Sequence, residues 1–561
     1  MTVPLFRVTV HITGAPTRYR AANIGDLATA SYKTIYKPEA GKAWSKNLWS
    51  PEIHYYTDEE IGAGNGGLAA GAFTAKNGKK TLVVEKHNIP GGSATSFVRG
   101  RFEFETSLHE LCTVGTAENP GGIRKFFDML GADIDWRTGM DETFRLIVPS
   151  EGIDADMPCG IPNFCAKLEQ LVPGSLESMK KVLYFGKISS EAYAFLDDPA
   201  YTPEELEKRY PEFVALAGHS IDEVLDSLGM PKKAQQILAT YWCYLGAPSD
   251  TLDFAIYARM LLGYIVYGAG MPALRSHEIS MALEKVIRDN GGEIWYNTEV
   301  NRILVKDGKA YGVVIGGKEY LADQIVCNAF PDAVYGKMMD PAEVPERAVK
   351  LVNSRKLGLT FSTVYLGINK SMEELGITSY SNFIAPCANS REQYNRALNT
   401  HEYCGYTIMN CLNKLIPDCT PEGTCQLFFT TFYFGNGWDD VTPEEYQKLK
   451  NETAEKMIRT AEEALGISIR PYIEEIVISC PPTFARYLNT PGGTPYGYQV
   501  DRADSFIQRR MALDKENFIE NLHFVGAHTH RGDGYSSAYI SGLDAGKAIL
   551  RADRQKGGME R

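Results

Sequence analysis

The residues of this chain best placed to do chemistry are Gly62, Gly64 and Gly67, with Asn65 and Gly66 between them and the carboxylate Glu85 about twenty positions further on. The first glycine allows a tight turn, the second lets a pyrophosphate approach the backbone, and the third lets a helix lie close to a sheet. A helix from 68 to about 77 would aim its N-terminal amides and positive dipole end at the phosphates. Thr81-Leu82-Val83-Val84-Glu85 reads as a buried strand ending where a ribose hydroxyl needs an acceptor. Lys86, Gly91, Gly92 and Ser93 follow as a second glycine turn in register with the first. Together these features are read as a dinucleotide site that holds FAD.

The element that should feed the first glycine is irregular. It is normally a run of aliphatic residues, and here it reads His54-Tyr55-Tyr56-Thr57-Asp58-Glu59-Glu60-Ile61. Central parallel strands are covered on both faces and exclude such a run of carboxylates. The expectation is an abnormal first strand, with residues 1–56 standing apart as an N-terminal extension.

The remaining pieces lie far downstream. Residues 273–290 have helical periodicity and stop at Gly291-Gly292. Short strands at 293–296, 300–305, 310–315 and 322–329, with turns at Asp307-Gly308 and Gly316-Gly317, predict a small meander that returns to the sheet. Near the C-terminus, the strand 521–527 runs into Gly532-Asp533-Gly534. The helix after it is rich in small residues (Ser536, Ser537, Ala538, Ser541, Gly542, Ala545, Gly546), which suits close approach to a ring system.

Three blocks, 61 to about 115, about 268 to 332 and about 482 to 550, resemble the phytoene desaturase branch of the flavin amine oxidase superfamily. That branch includes carotenoid desaturases, carotenoid isomerases and retinol saturase-like proteins. The resemblance implies that Glu85-Lys86 with Gly91-Gly92 is the second FAD segment and that Val300 meets adenine through its backbone. It also implies that Asn328 belongs to a cofactor-side Asn-Ala-Asp-Pro turn, and that Gly526, Gly532, Asp533 and Gly534 form the C-terminal flavin motif. Ser93 stands where the family usually has Arg, and Phe330 replaces the Asp of the turn.

Composition agrees with a large enzyme. The 561 residues, 44% hydrophobic and 23% charged, can bury one large core or two domains. A formal net charge of −12 offers no basic stripe for nucleic acid. Eleven cysteines without a CxxC pair point to reduced thiols and a cytoplasmic setting. No signal peptide and no apolar stretch of about eighteen residues is read. Lipid-handling relatives need a peripheral membrane contact, so membrane association stays open, as does the oligomeric state.

The fold class expected is α/β: a discontinuous Rossmann-like FAD-binding domain (57–125, 270–345 and 505–555) carrying an inserted α+β substrate domain (126–269 and 346–504). Within the insert, Thr202-Pro203-Glu204-Glu205 and Thr442-Pro443-Glu444-Glu445 read as capping boxes, and 357–368 and 424–433 read as strands of a cavity floor. The apolar stretch 251–267, interrupted by Asp253 and Arg259, reads as a cavity wall. Gly268-Ala269-Gly270-Met271-Pro272-Ala273, after a strand-like 262–267, is a weaker glycine pattern that a nicotinamide nucleotide could use; the simpler reading is one FAD.

Catalysis is harder to place than the cofactor. His109, beside Glu110, is a candidate acid or base, set against a hydrogen-bonded structural histidine. Arg531 is a candidate stabiliser of negative charge on reduced flavin, set against a solvated loop. His528 and His530 have no accompanying ligand cluster, so no metal is expected. Tyr264, Tyr267, Tyr496 and Tyr498 flank the expected cavity, although such rings more often simply pack. The activity expected is FAD-dependent desaturation or saturation of a carbon–carbon bond in an apolar unsaturated substrate: a carotenoid, retinoid or fatty acid. The alternative is a redox-neutral double-bond isomerase, with an amine oxidase or an inactive flavin-binding protein behind it.

Overall fold

A computed structural model describes residues 53–56, 63–198, 200–502, 504–532 and 534–559. Gly62, Asp533 and all of the extension before residue 53 lie outside the described residues. A five-stranded sheet takes its strands from across the chain, in the order Leu522–Phe524, Gln324–Cys327, Ile53–Tyr56, Leu82–Val84, Glu293–Trp295. Four of these run parallel, and the aliphatic Leu82, Val83 and Val84 are buried on both faces as such strands require.

The central strand differs from the sequence expectation. Ile53–Tyr56 fills the slot before the glycines but pairs antiparallel with both neighbours, Gln324–Cys327 and Leu82–Val84. The rest of the expected run, from Thr57 to Ile61, lies outside the described residues. The four residues in the sheet carry no carboxylate, whereas Asp58, Glu59 and Glu60 in a doubly covered strand would be buried charges.

Helix Asn65–Lys76 packs on this sheet, flanked by Ser276–Asp289 and by Tyr535–Met559. The small residues of the last helix serve that contact. A Cβ on Gly542 would lie 2.1 Å from the carbonyl oxygen of Gly66, and one on Gly546 would lie 2.6 Å from the Phe73 ring. Of the small-residue face, Ser536, Ser537 and Ala538 line the cavity described below. The strands Val300–Lys306, Lys309–Ile315 and Lys318–Leu321 form the expected meander as a separate three-stranded sheet.

A seven-stranded sheet forms the second layer, in the order 473–479, 360–368, 425–433, 407–411, 381–384, 142–148, 153–158. Thr360–Ile368 and Cys425–Tyr433 pair along nine residues and are buried throughout, one face toward the cavity and the other under helix Pro443–Leu465. Thr442 makes the reciprocal capping box at that helix, while Thr202 makes only its own half of one.

Residues 262–267 are not a strand. They end helix Phe254–Tyr267, which packs on Leu176–Phe195 so closely that a Cβ on Gly186 would meet the Ala258 carbonyl oxygen at 2.7 Å. Asp253, read from sequence as an interruption, is the N-cap, its carboxylate accepting from the Ile256 amide at 3.3 Å. With no strand before Gly268, the second-nucleotide pattern loses the strand–turn–helix context it needs. Among the described residues, no helix is long and apolar enough to cross a membrane.

Candidate functional site

A cavity of about 650 Å³ opens between the C-terminal ends of the parallel strands and the inner face of the seven-stranded sheet. One end is built from glycine turns and two helix N-termini. Gly64 is the N-cap of Asn65–Lys76 and supplies no side chain, leaving the first-turn amides to another acceptor. Its turn is pinned to the second one, the Gly91 amide donating to the Ala63 carbonyl at 2.8 Å. Gly91 has φ +113°, and a Cβ there would fall 2.1 Å from the Ala94 carbonyl oxygen. Gly66 lets the helix meet the C-terminal strand, since its Cβ would stand 2.8 Å from the Gly526 nitrogen. Gly67 is buried in the same helix. Asn65 lines the cavity at 8% exposure, and its Oδ1 has no hydrogen-bond partner among the described residues.

The second N-terminus starts at Gly534, φ +83°, and brings Ser536 and Ser537 to the same corner. Just before it, Gly532, φ +77°, has no room for a side chain against the Phe506 ring. The Tyr535 hydroxyl donates to the Ser93 carbonyl at 2.8 Å, tying the second glycine turn to the C-terminal helix. Gly526, φ +107°, lies against Asn328, whose Oδ1 would be 2.3 Å from a Cβ there. Both residues line the cavity.

Glu85, Lys86 and Val300 lie beyond the cavity lining, side by side. Glu85 is buried, with Oε1 accepting from the His87 amide at 2.7 Å, and the Thr298 amide donates to its carbonyl at 2.9 Å. Lys86 pairs with Glu299 at 3.0 Å. Val300 is buried at the start of the three-stranded sheet.

The other end of the cavity is mainly aromatic and aliphatic, with Tyr244, Tyr264, Phe361, Phe432 and Tyr496 in its walls. Tyr267 also lines it. Tyr498 does not: its hydroxyl donates to Asp332 at 2.9 Å and its ring packs on Phe330.

His109 lines the cavity, with Nδ1 3.3 Å from the Ser107 carbonyl and Nε2 2.9 Å from the Tyr244 hydroxyl. A carbonyl can only accept, so the proton sits on Nδ1 and Nε2 accepts from Tyr244. Burial pushes its pKa down to about 4, so the ring is neutral. His109 is thus held as an acceptor, and the acid half of its expected role falls away.

Arg531 does not line the cavity. Its guanidinium grips Asp544 at 2.6 and 3.0 Å and also donates to Asp197 at 2.5 Å. Two carboxylates already neutralise it, which corrects the expectation that it stabilises reduced flavin.

Two residues were undervalued by sequence reasoning. Glu110, noted only as the neighbour of His109, is 7% exposed and reaches the cavity among Tyr241, Tyr244, Tyr264 and Tyr380. Its Oε2 accepts from Ser381 at 2.8 Å, while Oε1 has no hydrogen-bond partner of good geometry among the described residues. Burial raises its pKa to about 7 against the opposing pull of the Tyr244 and Ser381 hydroxyls. Arg259, read as a break in an apolar run, also lines the cavity.

Residues 61–130 match the NAD(P)-binding Rossmann-like domain family. The chain is 25% identical over 517 residues to prolycopene isomerase 2, chloroplastic, of an Oncidium hybrid cultivar, covering 90% of this chain and 84% of the relative. It is 24% identical over 528 residues to the all-trans-retinol 13,14-reductase of Danio rerio, covering 87% and 85%. Its fold is similar to that of wild-type putrescine oxidase bound to putrescine, with a TM-score of 0.56 at 14% identity over 88% of this chain and 98% of that one. The resemblance read from three blocks extends over most of the sequence.

Proposed function

We propose that this chain, a relative of the carotenoid isomerases and retinol 13,14-reductases within the FAD-dependent oxidoreductase superfamily, binds FAD and acts on a carbon–carbon double bond of an apolar unsaturated substrate. The observation that carries the reading is the continuity of the cavity, which runs from two helix N-termini and their glycine turns straight into an aromatic wall.

The residues present fit the cofactor. Gly91, Gly92 and Gly534 take positive φ that favours glycine, Gly64 puts no side chain over the first-turn amides, and Asn65 Oδ1 has no partner among the described residues at the same corner. Glu85 would accept from a ribose hydroxyl, and Val300 would pass its backbone along the adenine. Asn328, Gly526 and Gly532 would close over the far side. When bound, FAD supplies hydride chemistry.

The protein's share is position, dryness and a proton. Tyr264, Phe361, Phe432 and Tyr496 exclude water from the reacting carbons. Oε1 of Glu110 gives or takes the proton, because a carboxyl near pH 7 in its pKa serves either direction. His109 and Tyr244 hold each other beside it. The same proton-transfer group supports the redox-neutral reading, a double-bond shift with no net change in mass.

Denaturing the purified protein should release FAD. With an unsaturated substrate, a mass change of two hydrogens indicates desaturation or saturation, and an unchanged mass with a shifted absorption spectrum indicates isomerisation. A protein that neither carries nor takes up FAD sinks the proposal.

A further inference from the structure

Arg259 sits in the second turn of helix Phe254–Tyr267, which packs on Leu176–Phe195. Its guanidinium lies 4.6 Å over the ring of Tyr193, a residue only 5% exposed. That cation–π contact holds the guanidinium over the ring. The residue is surrounded by protein, and burial lowers its pKa, with the positive Arg531 adding to the effect. It nevertheless counts among the exposed side chains, because the open side is the cavity it lines. Among the described residues, no carboxylate comes within ion-pair distance of it. Asp197, the nearest acidic contributor, is already shared by Arg531 and Arg510, and Glu191 is drawn to Lys187 at 3.9 Å. The Tyr193 hydroxyl beneath it is buried and has no partner either.

A cation facing a mainly apolar cavity, with no carboxylate among the described residues at ion-pair distance, is a costly arrangement unless a ligand completes it. The cofactor's phosphates have their own corner at Gly64, Asn65, Gly91 and Gly534. The turns that follow Arg259 on its helix, Met260, Gly263 and Tyr264, belong to the substrate wall.

Resting on the double-bond reading above, we infer that Arg259 is the head-group site of the substrate, and that the substrate is an unsaturated carboxylic acid whose carboxylate takes the guanidinium fork while its chain runs along the aromatic wall. A planar fork matches a carboxylate bidentately, and a hydrocarbon polyene has nothing to give it.

The test uses the FAD-loaded enzyme, with linoleic acid and methyl linoleate as probes, titrated by calorimetry into wild type, R259A and R259K. Wild type should bind the acid more tightly than the ester. R259A should weaken acid binding by about ten- to hundredfold, as expected for a charge-assisted pair. Ester binding and FAD content should change little, and R259K should keep part of the preference. Equal affinity of wild type for acid and ester overturns the inference. So does loss of FAD from R259A, which would assign the guanidinium to the pyrophosphate. Turnover of a neutral polyene with no binding of the acid removes the head-group site while leaving the double-bond reading standing; failure of the protein to carry FAD removes both.

Discussion

The Tyr244 hydroxyl stands 2.9 Å from Nε2 of His109, and its one proton is shared between that nitrogen and the neighbouring Glu110 carboxyl. Tyr244 therefore links the histidine beside the cofactor corner to the carboxyl in the aromatic wall. The Tyr380 hydroxyl, donating to the His109 carbonyl, fixes the backbone between them. Because His109 is neutral down to about pH 4, H109A should leave the shape of the pH–rate profile unchanged above pH 5. A limb near pH 6.5 that vanishes in H109A would show that the ring titrates in the reaction.

E110Q should behave differently. It should lower kcat by about a hundredfold or more, in the range of positioned acid–base groups, and should remove a limb near pH 7 from the profile. Steady-state rates across pH 5 to 9, with FAD content held equal, decide this. A variant with wild-type kcat excludes the carboxyl from proton transfer.

The same carboxyl bears on stability. Burial raises Glu105, Glu110 and Glu142 to about 7 from an ordinary 4.5. Between those values the folded protein binds more protons at these sites than the unfolded chain, so their contribution favours folding most below about pH 4.5 and is lost as pH rises through about 7. E110Q should therefore be close to wild type in denaturant melts at pH 5 and gain relative to it at pH 8. A gain at pH 5 that disappears at pH 8 would reverse the assignment.

R531A should be a stability variant. It leaves Asp544 only His530 and Asp197 only Arg510, and breaking such a largely buried pair costs about 3 kcal/mol, the low end of the usual range because those partners remain and Asp197 is partly exposed. The melting temperature should fall, while flavin reduction and reoxidation rates per folded, FAD-loaded molecule stay near wild type. Slowed flavin chemistry in molecules that melt normally would restore the electrostatic role.

E85A should weaken FAD retention by roughly 1.5–3 kcal/mol, the worth of a hydrogen bond to a charged acceptor. Equilibrium dialysis of the cofactor checks it. Unchanged retention would place the ribose elsewhere.

Much of the glycine-lined end of the cavity was legible because its requirements are local. Turns at positive φ favour glycine at Gly91 and Gly534, and a buried strand demands the aliphatic run that ends at Glu85, so residue type alone marks those places. The long strands at 360–368 and 425–433 were visible for the same reason, in β-branched and aromatic runs bounded by turns. What the tertiary structure alone decided is which charges meet. Arg531 looked like a flavin-side cation until Asp197, more than three hundred positions away in sequence, closed on it. Arg259 looked like a blemish in an apolar run until the helix turned it into the cavity over Tyr193. Glu110 gains its raised pKa only from burial under segments far apart in sequence, against the pull of the Tyr244 and Ser381 hydroxyls. Electrostatic character is set by neighbours and solvent access in three dimensions, and neither is written in the order of residues along the chain.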